Sequence, residues 1–246
     1  MRITYLILLL LSGISNAGTI DPNNDDNKYI EYGKKYSSVV RLCGKYEDGS
    51  QYCASAVIIK PRWILTAAHV VKKSKRCLVR INDKQTIIDK IICHENFNED
   101  NFGFCDIAIG HSSEPLEITE YPSLYTDSDE EGKLSTAAGL GLTGTFLTGC
   151  TISDQNKRAG LNIIDQIDRD LLVCSISEND PRSTGLEFLI ASGDSGGGLF
   201  IDGRLAGINS CVMATDGKPN SSYGDESGHT RISKYVKWIE KVVNNE

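Results

Sequence analysis

The 246 residues carry 33 acidic and 26 basic side chains, a formal charge of −7, with 40% hydrophobic and 24% charged residues. That length and apolar content can bury a core in one large domain or a two-barrel unit, and they exclude a disordered chain. An acidic balance without a basic patch excludes nucleic acid as an expected partner.

Arg2 heads an apolar run from Tyr5 to Leu11, far shorter than the ~20 residues of a membrane helix. Ser15-Asn16-Ala17 ends it in small residues, which predicts a signal peptide over 1–17 with cleavage before Gly18. A secreted, extracellular product free of the membrane is expected. Eight cysteines follow, an even number that predicts disulfides in such a protein. Cys93 and Cys105 are the first choice of pair, because they bracket a short polar loop. With no C-x-x-C spacing and four histidines, no metal site is expected.

Strand signals come next in the chain. Ser37 to Leu42 and Tyr52 to Ile59 flank an Asp48-Gly49 hairpin turn. Trp63 to Thr66, Cys77 to Ile81, Thr86 to Ile92 and Asp106 to Ile109 continue the pattern. The acidic segment from Asp127 to Gly132 reads as a solvated connection near the midpoint. Leu199 to Ile201 and Leu205 to Ile208 flank a second turn, Asp202-Gly203. Only the C-terminus has helical spacing, through Tyr235, Trp238, Ile239 and Val242. Many short strands and one terminal helix predict an all-β barrel or sandwich.

Three segments carry chemistry. Peptide hydrolysis needs a nucleophile, a base, a group that orients the base, and donors for the oxyanion. Thr66-Ala67-Ala68-His69 sets a histidine after a strand, and Asp106-Ile107-Ala108 sets a carboxylate before an apolar run. Gly193-Asp194-Ser195-Gly196-Gly197 sets a serine in a glycine-rich turn.

These motifs, in the order His, Asp, Ser, resemble the trypsin/chymotrypsin family of serine proteases. Cys53, Trp63, the Gly207 to Ser210 strand and Thr230-Arg231-Ile232-Ser233 with Trp238 extend the resemblance over roughly 37–241. The resemblance implies two six-stranded antiparallel β-barrels of the chymotrypsin type with a C-terminal helix. The protease domain would span 18–246, its halves meeting near 125–135. Ser195 would be the nucleophile, His69 its general base and Asp106 the orienting carboxylate. The backbone N–H groups of Gly193 and Ser195 would form the oxyanion hole. Ser210, which also supports Asp106, would bind substrate together with Leu189, Val212 and Ser227. Leu189 would floor the primary pocket, Val212 and Ser227 would wall it, and small or medium apolar side chains would be preferred over Lys or Arg. A monomer acting on protein or peptide substrates, without cofactor or metal, is expected.

The chain also departs from the family. Val70, Ala191 and Ile201 stand where the family commonly has cysteines, and no Ile/Val-Val-Gly-Gly activation terminus follows a Lys or Arg. Gly18, or Tyr29 after Lys28, could provide the terminus. Segments 157–165 and 222–228 look more like bacterial-type members of the family. Gly193 to Gly197 also satisfies the G-x-S-x-G elbow of α/β-hydrolases, but a hairpin rather than a helix follows and the triad order differs. The alternative from another class is a catalytically silent secreted homologue acting as a binding protein. Such proteins commonly lose a triad member, and this chain keeps all three.

Overall fold

The structure is a computed structural model that describes residues 17–82, 84–100, 103–178 and 181–244. Of the expected leader, 1–16 lie outside the described residues. The chain opens with β1 (Thr19–Ile20) and α1 (Asp26–Gly33). The sequence reading assigned no helix at α1. Its signals are local: the Asp25 side chain caps the Asn27 N–H, Asp26 in the first turn suits the helix dipole, and Tyr29 is buried.

The β-branched and aromatic runs of the first half form β2 (Val39–Tyr46), β3 (Gln51–Lys60), β4 (Trp63–Thr66), the short α2 (Ala68–Val71), β5 (Ser74–Ile81), β6 (Lys84–Cys93) and β7 (Ala108–Ser112). The six strands close into a barrel in the order β2-β3-β4-β7-β6-β5. Val57, Leu65, Val79 and Ile109 are among the side chains that fill it, and closure leaves no free edge to aggregate.

The second half contains β8 (Leu134–Gly139), β9 (Thr143–Thr145), β10 (Gly149–Ile152), β11 (Arg158–Ile163), β12 (Gln166–Asp168), β13 (Leu171–Ser175), β14 (Phe188–Leu189), β15 (Gly198–Ile201), β16 (Arg204–Met213) and β17 (Glu226–Arg231). A seven-stranded sheet runs β11-β8-β15-β16-β17-β13-β12, with β10-β9-β1-β14 as a smaller sheet beside it. This half curls into a half-barrel rather than closing a six-strand ladder. α3 (Val236–Asn244) ends the fold, with Ile239 and Val243 one turn apart on its buried face. The all-β architecture with a C-terminal helix is the one the sequence implied, and it matches the chymotrypsin fold. Among the described residues no helix is long and apolar enough to cross a membrane.

Two expectations are corrected. Cys93 and Cys105 are both unbonded. Cys105, at positive φ (52°), turns its thiol toward Tyr235 and Asp170, whereas the Cys93 thiol lies in the field of Asp106 and Lys72. The disulfide is Cys43–Cys53, across the β2–β3 hairpin with Cα atoms 4.1 Å apart. The acidic connection is not simply solvated either. Glu130 is fully buried, bound by Arg231 at 2.7 and 2.9 Å and by the Ser233 hydroxyl at 2.7 Å. These partners outweigh the burial that opposes ionisation, and its carboxyl is held below the usual range.

Candidate active site

Buried small residues bring the site together. β4 ends at Thr66, and Ala67-Ala68 turn the chain into α2 with His69 half-buried. Asp106 comes just before β7 and is fully buried. Its Oδ2 lies 2.7 Å from His69 Nδ1 and accepts from the Ser210 hydroxyl at 2.6 Å, while Oδ1 accepts the His69 backbone N–H at 2.9 Å. Thr230 Oγ1 donates to the Asp106 backbone carbonyl at 3.0 Å, tying β17 to the same point.

Electrostatics follow from this geometry. Burial disfavours the charged form of both groups, but the ion pair and hydrogen bonds prevail. His69 is held above its ordinary pKa and Asp106 below the usual carboxylate range. An ionised carboxylate only accepts, so the ring proton sits on Nδ1 and Nε2 keeps its lone pair.

Ser195 lies in the turn between β14 and β15. Its backbone carbonyl accepts from the Ser55 N–H at 2.9 Å, and the Ser55 hydroxyl donates to the Gly193 carbonyl at 3.1 Å. Ser55, on β3, therefore locks the serine turn of the second half onto the first barrel. The sequence reading missed it; the signal was a serine in the otherwise apolar Ala54–Ile59 run. Gly196, at φ 85°, allows that approach, because a Cβ there would overlap the Thr66 hydroxyl and the Ser55 carbonyl.

The Ser192 carbonyl accepts from Leu142 N–H at 2.6 Å, which turns the Gly193 N–H the other way across the trans peptide. The N–H groups of Asp194, Gly196 and Gly197 all have backbone acceptors, whereas those of Gly193 and Ser195 have none among the described residues. Two neighbouring donors without an acceptor are what an oxyanion needs.

Asp194 is the second buried carboxylate. It accepts from the N–H groups of Gly18 (2.8 Å), Ala191 (2.8 Å) and Gly141 (2.7 Å). Burial outweighs these amides and pushes its pKa up to about 7. Gly18 takes φ 52°, and a Cβ on it would run into the Phe188 ring.

Of the expected pocket residues, Ser210 and Val212 lie on β16 and Ser227 on the adjacent β17, whereas Leu189 lies on β14 of the smaller sheet. Ser227 is the register partner of Val212, and its hydroxyl accepts the Ile190 N–H at 3.0 Å. Leu189 has no exposed surface and packs with Phe146, Ile176 and Tyr223. Two nearby acids each use one oxygen to hold their own loop, while Glu187 Oε2 is buried without a hydrogen-bond partner among the described residues. Asp225 accepts from the N–H groups of Asn220, Ser221 and Ser222, and Glu187 Oε1 holds the 183–185 turn. His229 is buried, donates Nδ1–H to Asn209 Oδ1 at 2.9 Å, and is pushed down to about 3 by burial, as suits a structural residue.

The Trypsin family model matches residues 33–239. Serine protease SSP1 of Scolopendra subspinipes is 27% identical, covering 98% of this chain and 94% of its own. Kallikrein 1-related peptidase-like b4 of Mus musculus is 26% identical, covering 98% of each. Among solved structures, HL collagenase superposes with TM-score 0.71 at 19% identity over 92% of this chain and 97% of its own. Neuropsin, a serine protease expressed in mouse brain, gives 0.66 at 20% identity over 85% and 95%.

Proposed function

Because the chain belongs to the trypsin family and is a serine endopeptidase acting on proteins or peptides, we propose that Ser195, His69 and Asp106 are its catalytic triad and that it works outside the cell. The observation that carries the triad is the His69–Asp106–Ser210 chain of short hydrogen bonds, which holds the proton on Nδ1 and so makes Nε2 the basic nitrogen of the imidazole.

In this mechanism Ser195 Oγ attacks the scissile carbonyl carbon as its proton passes to His69 Nε2. The carbonyl oxygen becomes an oxyanion held by the N–H groups of Gly193 and Ser195. His69 then gives the proton to the leaving amine, the C–N bond breaks, and an acyl-serine remains. Water attacks the acyl carbon, His69 takes its proton and returns it to Ser195 Oγ, and the acid leaves. Asp106 stabilises the imidazolium throughout. The same free donors at Gly193 and Ser195 weigh against a silent binding protein, which has no use for them.

Specificity follows from the pocket. On this reading Leu189, sealed beneath the site by its neighbours, would underlie an apolar pocket with Val212 and Ser227 as walls, and Asp225 and Glu187 Oε1 are engaged by their own loops. Burying an unpaired Lys or Arg there costs several kcal/mol. Cleavage after small or medium apolar residues should exceed cleavage after Lys or Arg by about 100-fold. A peptide library read by mass spectrometry tests this, and a preference for cutting after basic residues would overturn the floor assignment.

Maturation belongs to the same reading. Leader removal after Ala17 would turn the Gly18 amide into an α-ammonium 2.8 Å from Asp194, giving the buried carboxylate a cation. Residues 18–246 would then be the mature domain, with no later activating cut. Tyr29 is the weaker candidate, since it is buried within α1 and a cut before it would break that helix. N-terminal sequencing of the exported protein separates the two: Gly18 supports this account and Tyr29 overturns it.

A further inference from the structure

Successive peptide planes make up the serine turn, and each is held at one end or both. In the first, the Ser192 carbonyl accepts the Leu142 N–H at 2.6 Å, and the Gly193 N–H has no acceptor among the described residues. In the second, the Gly193 carbonyl accepts the Ser55 hydroxyl at 3.1 Å, and the Asp194 N–H donates to the Ala191 carbonyl at 3.0 Å. In the third, the Asp194 carbonyl accepts the Gly197 N–H at 2.8 Å, and the Ser195 N–H is the other donor without an acceptor. In the next, the Ser195 carbonyl accepts the Ser55 N–H at 2.9 Å, and the Gly196 N–H donates to the Asn209 carbonyl at 2.8 Å. The Gly193–Asp194 peptide is therefore the spacer between the two unengaged donors. Its tilt sets how far apart they stand and whether they converge. Every other partner in this series is backbone; the spacer alone is held by a side chain, that of Ser55.

That hydroxyl has one way to point. An N–H only donates and a carbonyl only accepts, so the Leu140 N–H at 3.0 Å makes the Ser55 oxygen an acceptor and directs its own proton to Gly193. Ser55 has no exposed surface, so bulk water does not compete for either bond. Its mount is rigid. It faces Arg41 in the β2–β3 ladder, and its own carbonyl accepts the Thr66 hydroxyl at 2.9 Å. What it holds is not rigid by itself, because Gly193, at φ 90°, has no Cβ to resist rotation of the plane that follows it.

We propose that the Ser55 hydroxyl is a positioning residue for the transition state: by fixing the Gly193–Asp194 peptide it keeps the N–H groups of Gly193 and Ser195 aimed at one point. Ser55 acts through that peptide and does not itself meet the substrate. Its loss should be felt where an oxyanion forms and not where a neutral ligand binds. The proposal rests on the triad reading, and the test separates the two. In the full mature chain, Ser55→Ala should lower kcat for a short chromogenic peptide about 10- to 100-fold per titrated active site, less than the loss of a whole donor, with KM within about twofold. A peptidyl trifluoromethyl ketone, whose adduct with Ser195 is an oxyanion, should lose affinity by the same factor, while a product peptide should bind as before. Ser55→Cys, a weaker donor of similar shape, should fall between the wild type and Ser55→Ala, and it carries the test if the alanine chain does not fold. A lower melting temperature with kcat and ketone affinity per site unchanged would overturn the proposal, as would equal weakening of ketone and product peptide. A wild-type chain that takes no fluorophosphonate on Ser195 would remove the triad and this proposal together; a labelled wild type with unchanged ketone affinity in both variants would remove Ser55 alone.

Discussion

Asp106 and Asp194 are both fully buried carboxylates close to the serine turn, yet the protein holds them in opposite ways. Asp106 faces an imidazole that can carry charge, accepts a hydroxyl besides, and is held below the usual range. Asp194 is surrounded by three peptide N–H groups, and burial raises it to about 7. Amide dipoles alone do not replace the water that a buried carboxylate loses; a neighbouring cation does. On the proposed triad, one carboxylate is thus already paired with its imidazole in the chain as it folds. The other is hydrogen-bonded to peptide N–H groups and to no cation among the described residues, Arg158 acting on it only through its field, and one of its donors is the N–H at the expected cleavage point.

Experiments can break each side of this comparison. The largest effect belongs to the residue that both carboxylates serve. Ser195→Ala should lower kcat by about four or more powers of ten while leaving the fold intact; unchanged turnover would remove the assignment. Asp106→Asn should cost about three to four powers of ten, because an amide no longer enforces the Nδ1–H tautomer. Single-turnover kinetics on a chromogenic peptide would measure both.

On the Asp194 side, a chain that begins at Ala17 moves the amine one residue away from the carboxylate. Its activity should fall by roughly 100-fold or more, the consequence of leaving a buried charge uncompensated. Full activity in that form would mean that Asp194 needs no ammonium.

The two carboxylates should also leave opposite marks on stability against pH. A raised acid binds its proton more tightly when folded, so the Ala17-retaining chain should lose stability as pH rises from about 4 to 7, by roughly 4 kcal/mol. The chain that begins at Gly18 should show a much flatter profile. For the other pair, depressed Asp106 contributes stability that is present above about pH 3.9 and lost on acidification. Raised His69 contributes stability that is present below about pH 6.5 and lost as pH rises through its folded pKa. Urea midpoints measured across pH would resolve these windows, and identical profiles for the two chain forms would contradict the comparison. The smallest effect is on rate. On the proposed mechanism kcat/KM should rise about tenfold per pH unit well below a midpoint above 6.5 and level off beyond it, because His69 must be neutral to act; a midpoint well below 6 would contradict the raised imidazole.

Much of the proposed site was read from local motifs, and the structure brings His69 and Asp106 together as those motifs implied. His69, Asp106 and Ser195 each sit in a short segment whose residue types have few other uses together, and the β-rich runs around them correspond to β2 to β7. What the sequence concealed was mostly long-range. Glu130 finds Arg231 some hundred positions away, and Ser55 finds Gly193 across the two halves. No local pattern encodes such pairings. Cys43–Cys53 is different, because the two cysteines are equidistant from the Asp48-Gly49 turn and face each other once that hairpin register is set. Choosing Cys93 and Cys105 by loop length alone ignored where strand direction sends each thiol.

The most direct measurement is to treat the mature protein with a fluorophosphonate probe and locate the adduct by mass spectrometry. The account predicts one adduct on Ser195, abolished in Ser195→Ala and strongly suppressed in His69→Ala. A folded protein that takes no label, or takes it on another residue, would contradict Ser195 as the nucleophile.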